Sequence, residues 1–76
     1  MNVPARYLEH EAWVFAIFAS KAAIQGGVVR RAVRDVDRLI GRDALAAEVR
    51  RRGYHMVENS GQFVIFCNND AVRIVC

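Results

Sequence analysis

The segment GRDALAAEVRRRGYHMVENSGQFVIF, Gly41 to Phe66, decides how the rest of the chain is read. Its first half repeats at the helical period: Leu45 and Val49 stand four residues apart and share one face, Asp43 can cap the start, and Gly53 stops the run. Its second half repeats at period two. Tyr54 to Glu58 and the run from Gln62 are rich in aromatic and β-branched residues, and Asn59-Ser60-Gly61 between them are turn formers. The segment therefore predicts a helix over 43–52 followed by an antiparallel hairpin.

Upstream, apolar residues recur at helical spacing in two longer runs. Val29, Val33, Val36 and Ile40 line one face of a helix predicted over 28–40, with Gly41 supplying a left-handed residue at its end. Only about three residues then separate it from the next helix, which is helix-turn-helix spacing. Pro4 suits a first helical turn, and 5–24 runs without a breaker until Gln25-Gly26-Gly27, so a first helix is predicted there. Leu8, Ala12, Phe15, Ala19 and Ala22 make its most regular stripe. Trp13, Val14, Ile17 and Phe18 spread apolar character over the rest of the circumference.

Downstream, 54–58, 62–68 and 71–76 read as a three-stranded antiparallel meander, with Asn69-Asp70 as the second turn. In that register Phe63, Ile65, Cys67, Val72, Ile74 and Cys76 share the core face. His55, Val57, Val64, Phe66, Arg73 and Val75 lie on the other, which is more apolar than a solvent face requires. Cys67 and Cys76 would sit roughly 13 Å apart, too far to bridge, and both read as small core hydrophobes. The expected fold is α+β, a single domain over 1–76, with Leu8, Phe15, Val29, Val33, Val36, Ile40, Leu45, Val49, Met56, Phe63, Ile65, Val72 and Ile74 inside.

Composition narrows the class. Seventy-six residues, 54% hydrophobic and 25% charged with one proline, describe a small folded chain with apolar surface to spare. Two cysteines make no disulfide framework, the N-terminus lacks the pattern of a signal peptide, and the longest uncharged run falls far short of the roughly 20 residues that span a bilayer. A cytoplasmic location is expected. His10, His55, Cys67, Cys76 and the carboxylates show no spacing typical of metal ligands or a nucleophile with its base, and no glycine pattern cradles phosphate. Neither an enzyme nor a cofactor or metal site is expected.

The charge is concentrated. Between 30 and 52, eight arginines face four acids, a local +4, while the remainder of the chain sums to −1. Arg31, Arg34 and Arg38 fall together opposite the valine stripe with Arg30 at the flank, and Arg50 and Arg51 follow on the next helix. These six arginines are the candidate binding residues. Asp35 with Arg31 or Arg38, and Glu48 with Arg52, have the spacing of local ion pairs worth ~0.2–0.5 kcal/mol each.

Three helices followed by a hairpin resembles a winged-helix DNA-binding domain in element order, with 43–52 in the place of a recognition helix. That resemblance implies duplex binding by Arg50 and Arg51. The sequence departs from it in having no strand evident between its first two helices and no lysine or arginine at its hairpin tips. The reading preferred from sequence is therefore a small non-enzymatic binding protein whose arginine face meets a protein or nucleoprotein target, of the same general kind as phage or mobile-element inhibitors such as anti-CRISPR proteins. A winged-helix-like DNA-binding regulator is the alternative. Trp13, Ile17, Phe18, Phe66, Arg73 and Val75 are the expected dimer or partner surface, and a homodimer without membrane association is the expected assembly.

Overall fold

The computed structural model describes residues 5–76, with side chains from Glu9 onward, so Pro4 and the side chain of Leu8 lie outside the described residues. The element order is α1 (Ala5–Ala19), α2 (Lys21–Ile24), β1 (Val28–Ala32), α3 (Val33–Leu39), α4 (Arg42–Arg51), β2 (His55–Asn59) and β3 (Gln62–Phe66). The strands form one antiparallel sheet in the order β1-β3-β2. This is an α+β fold, with more helices than the sequence suggests and one strand in a different place.

Two of the predicted helices are divided. Residue Ser20 breaks the first: its Oγ donates to the Ile17 carbonyl at 2.8 Å and accepts from the Ala23 amide at 3.3 Å, capping α2. The second, 28–40, is half strand. Val28 to Ala32 pair with Phe66 to Gln62, and only Val33 to Leu39 are helical. Both periods put Val29, Val33 and Val36 inward, so the periodicity alone did not separate them. Where the sequence predicts a third strand, 71–76 has no regular structure and is exposed throughout.

The side-chain faces of the 55–66 hairpin are as the sequence reads them, whereas the pairing of Cys67 with Val72 and Ile65 with Ile74 through an Asn69-Asp70 turn does not form. Val57 faces Val64 and Met56 faces Ile65, which places Phe63, Ile65 and Cys67 on the buried side and Val64 and Phe66 on the other. Val29 opposite Ile65 extends the buried face across β1. Against it pack Val36 from α3, Leu45 and Val49 from α4, and Ile17 and Phe18 from α1, with Val36, Leu45 and Ile65 at 0% exposure. Gly41, at φ 88, makes the sharp exit from α3 that brings α4 over this core. Gly53, at φ 75, reverses the chain into β2 while its neighbour Tyr54 bonds back to the Val49 carbonyl at 3.0 Å.

The first helix is turned about its axis relative to the regular stripe. Trp13, Val14, Ile17 and Phe18 face the core, whereas Phe15 is 70% exposed and Ala12, Ala19 and Ala22 are on the outside. Apolar area decides the rotation: the inward set is all large side chains, while three of the five stripe positions are alanine. Ile17 and Phe18 are thus core residues and not partner surface. Val72 and Ile74, expected inside, lie exposed in the C-terminal segment, and so does Cys76. Among the described residues no helix is long and apolar enough to cross a membrane.

Candidate functional site

The arginines expected to form one stripe on the second helix are divided between β1, which carries Arg30 and Arg31, and α3, which carries Arg34 and Arg38, while Arg50 and Arg51 lie on α4. Arg30 points from the non-core face of the sheet, opposite Val64, and Arg31 is on the core-facing side, its guanidinium donating to the Arg30 carbonyl at 2.7 Å. Arg34 and Arg38 share the outer face of α3. Arg50 is exposed near the end of α4, beside Ala47 on its outward side.

Their charges differ in availability. Among the described residues Arg30, Arg34 and Arg50 enter no ion pair, whereas Arg38 makes a long one with Asp35 at 3.4 Å. Arg51 is held by Glu48 through two bonds, Nε to Oε2 at 3.0 Å and Nη2 to Oε1 at 2.6 Å. The Arg52 Nε reaches the same carboxylate at 2.8 Å, and its guanidinium lies 4.2 Å from the centroid of Phe18. The two bonds from Arg51, with a smaller contribution from Arg52, hold the Glu48 carboxyl down at about 2 even though burial opposes them. This network fastens the last turn of α4 to α1.

A second network fixes the first turn of α4. The Arg42 fork donates to both oxygens of Asp37, at 3.1 and 2.7 Å, approaches Glu58 at 3.8 Å, and lies 5.5 Å from the Phe63 ring centroid. Its hydrogen bonds push the Asp37 carboxyl below its ordinary range, and Asp37 in turn raises the Arg42 guanidinium. One side chain thereby joins α3, α4 and β2. Arg42 and Arg52 carry the framework, leaving Arg34 on α3 and Arg50 on α4 as the exposed cations of those two helices that enter no ion pair among the described residues.

The expected partner residues are also dispersed. Trp13 is half-buried against the core, and Arg73 and Val75 are exposed in the C-terminal segment. Phe66 belongs to the non-core sheet face with Val28, Arg30, His55, Val57 and Val64, where Val28 and Val57 are 39% and 42% exposed. No described helix covers that face. Phe15 and Ile24, at 70% and 74% exposure, are apolar surface that the sequence reading missed, because each sits among other apolar residues in a run whose rotation only the packing fixes.

Among the described residues no three His, Cys, Asp or Glu side chains are grouped so as to hold a metal. Cys67 is buried, burial raises its thiol above the ordinary value, and its sulfur lies 3.9 Å from the Ile65 carbonyl, an environment that suppresses thiolate chemistry. No protein-family model, curated protein or solved structure matches the chain.

Proposed function

We propose that the chain binds duplex DNA with α3 and α4, in the manner of a winged helix. The observation that carries this reading is β1. A strand stands between the first helices and the α3–α4 pair and joins the hairpin in the order β1-β3-β2, which supplies the element that the amino-acid sequence alone lacks for this class. Further support comes from α4 itself. It follows α3 after only Ile40 and Gly41, buries Leu45 and Val49, and turns Ala47 and Arg50 outward. Alanine permits close approach of the helix to a groove, and arginine has the reach and paired donors for guanine or phosphate.

The hairpin tip Asn59-Ser60-Gly61 carries no cation, and Glu58 stands beside it. Affinity in this reading comes from α3 and α4, with Arg34 and Arg50 as phosphate or base contacts and Arg38 as a third once it leaves Asp35. Fluorescence polarisation on a labelled random-sequence duplex tests it. Binding should weaken steeply with salt, and Arg34→Gln with Arg50→Gln should flatten the slope of log K against log salt by ~1.8, at ~0.9 per contact. A wild-type protein that leaves the duplex free at about 50 mM salt overturns the reading.

A protein or nucleoprotein target is the second reading, and the uncovered sheet face favours it. Val28, Val57, Val64 and Phe66 form an apolar patch there with Arg30 at its β1 edge, a combination that suits a complementary protein surface. Under this reading Phe66→Asp and Arg30→Glu abolish the interaction, while Arg34→Gln and Arg50→Gln leave it intact.

A further inference from the structure

The segment Ala71–Cys76, AVRIVC, has the composition of a buried strand and none of its partners. Val72, Ile74 and Val75 are 40%, 91% and 93% exposed, and the segment makes no hydrogen bond to the rest of the described chain. The residues before it are pinned. Asn68 Nδ2 donates to the Gly26 carbonyl at 3.0 Å, Asn69 Nδ2 to the carbonyls of Arg52 and Gly53 at 3.1 Å each, and the Asp70 amide to Asn68 Oδ1 at 3.0 Å. An anchored turn thus presents five apolar residues, three of them β-branched, and Arg73 to solvent, a costly arrangement unless something pairs with them.

We propose that this segment is an exchanged strand that adds, antiparallel, to the free edge of β2 in a second copy of the chain, the two copies exchanging reciprocally. The sheet order leaves two edges, β1 and β2. Charge selects between them: β1 presents Arg30 and Arg31, which repel Arg73, whereas β2 presents Glu58. Placing Arg73 opposite Glu58 sets every other pair. Ile74 then faces Val57, Val75 faces Met56, and Cys76 faces His55.

Side-chain alternation makes that register productive on both faces. Met56 is on the core side of β2, where a groove of about 400 Å³ opens between the strand and α4, lined by Ala46, Val49, Arg50, Tyr54, His55 and Met56. Val75 enters that groove. Ile74, one residue away and on the opposite side, lengthens the uncovered apolar face formed by Val57, Val64 and Phe66.

The chain cannot make this pairing with itself. Antiparallel entry begins near Ser60, at the far end of β2 from His55, while Asn69 is fixed beside Gly53, next to the His55 end. The four steps of β2 span ~13 Å, and the two steps from Asn69 through Asp70 to Ala71 reach at most about 7 Å. A second copy satisfies the geometry, and reciprocal exchange closes the assembly as a twofold dimer.

This inference is independent of what the arginines bind. Its test is light scattering on the full chain, with the outward-facing substitutions Ile74→Asp and Val75→Asp together, Arg73→Glu, Glu58→Arg, and the charge-reversed pair Arg73→Glu with Glu58→Arg. The wild type should have twice the mass of 8.6 kDa, the aspartate variant and both single reversals should dissociate at least tenfold more readily, and the reversed pair should regain dimer. Circular dichroism of each variant confirms that the monomer is folded. A monomeric wild type at high micromolar concentration, or a dimer indifferent to the aspartate substitutions, overturns the proposal. Failure of the reversed pair to recover overturns the register.

Discussion

Replacing Glu48 by glutamine isolates one of the two networks that hold α4, and the consequence depends on pH in a defined direction. The folded carboxyl titrates at about 2, against 4.5 for an unperturbed one, because of the bonds from Arg51 and then Arg52. A depressed folded value means that the stabilisation is complete above about pH 4.5, where the unfolded chain is also ionised, and is lost as pH falls towards about 2. Taken at face value the displacement sets a ceiling of about 3 kcal/mol. The actual contribution is smaller, because the Arg51 side chain is 68% exposed and water screens its share, while only Arg52, at 31%, is well sheltered. About 1 kcal/mol remains. Urea denaturation followed by the fluorescence of Trp13, the single tryptophan, measures it at a series of pH values. Glu48→Gln should cost about 1 kcal/mol from pH 7 down to about 5, and the gap between the two proteins should close progressively below that. A gap of constant size from pH 7 to pH 2.5, or none at pH 7, refutes the reasoning, since either result would mean that the carboxylate charge contributes nothing to folded α4.

Two other perturbations probe the sheet and the anchored turn. Ile65→Ala should destabilise by about 2–5 kcal/mol in chemical denaturation and Val64→Ala by less than about 1.5 kcal/mol, because only Ile65 is fully enclosed; equal costs would refute the assigned faces. Gly53→Ala should cost about 1 kcal/mol or more, since the residue sits at φ 75 and its new methyl would collide with the Asn69 amide; unchanged stability, together with an undisturbed Asn69 side-chain NMR signal, would show that the turn before 71–76 is not held as described.

Legibility from sequence differed along the chain for identifiable reasons. In the 41–66 segment the two signals agree: Leu45 and Val49 fix the buried side of α4, Gly41 and Gly53 adopt the left-handed conformations that end elements, and Val57 and Val64 pair across the hairpin as alternation requires. The first helix was harder, because nearly all its circumference is apolar. Counting apolar positions favoured the stripe through Ala12, Phe15 and Ala19, whereas burial follows area and chose Trp13, Val14, Ile17 and Phe18. For the candidate site, the sequence located the positive charge correctly between 30 and 52. The Glu48–Arg52 pair is legible from its i,i+4 spacing, but the commitment of Arg42 to Asp37 and the placing of Arg42 and Arg52 against the rings of Phe63 and Phe18 are not, because Phe18 and Phe63 are distant in sequence from the arginines that meet them.

The two errors in strand placement share one cause. VVRRAVRDV satisfies a helix through Val29, Val33 and Val36, and it equally satisfies a strand with Val29 inward followed by a helix with Val36 inward. Local periodicity is the same evidence for both, and the choice falls to whether β3 has an unsatisfied edge for Val28–Ala32 to fill. The 71–76 segment has the stronger strand propensity of the two, with valine and isoleucine at three of six positions, yet β1 takes the β3 edge and 71–76 is left out. Chain geometry explains the preference. Gly26 and Gly27 let β1 run antiparallel beside β3, tied at one end by the Cys67 amide to the Gly27 carbonyl and at the other by the Val33 amide to the Gly61 carbonyl, both at 2.9 Å. A strand hairpinned through Asn69-Asp70 would compete for that same edge of β3, and it would bring no helix with it, whereas β1 continues directly into α3 and places Val36 on Ile65's face of the sheet. Strand propensity thus belongs to the segment, but strand pairing belongs to the sheet, and a segment that loses its edge within one chain keeps the propensity to find an edge in another.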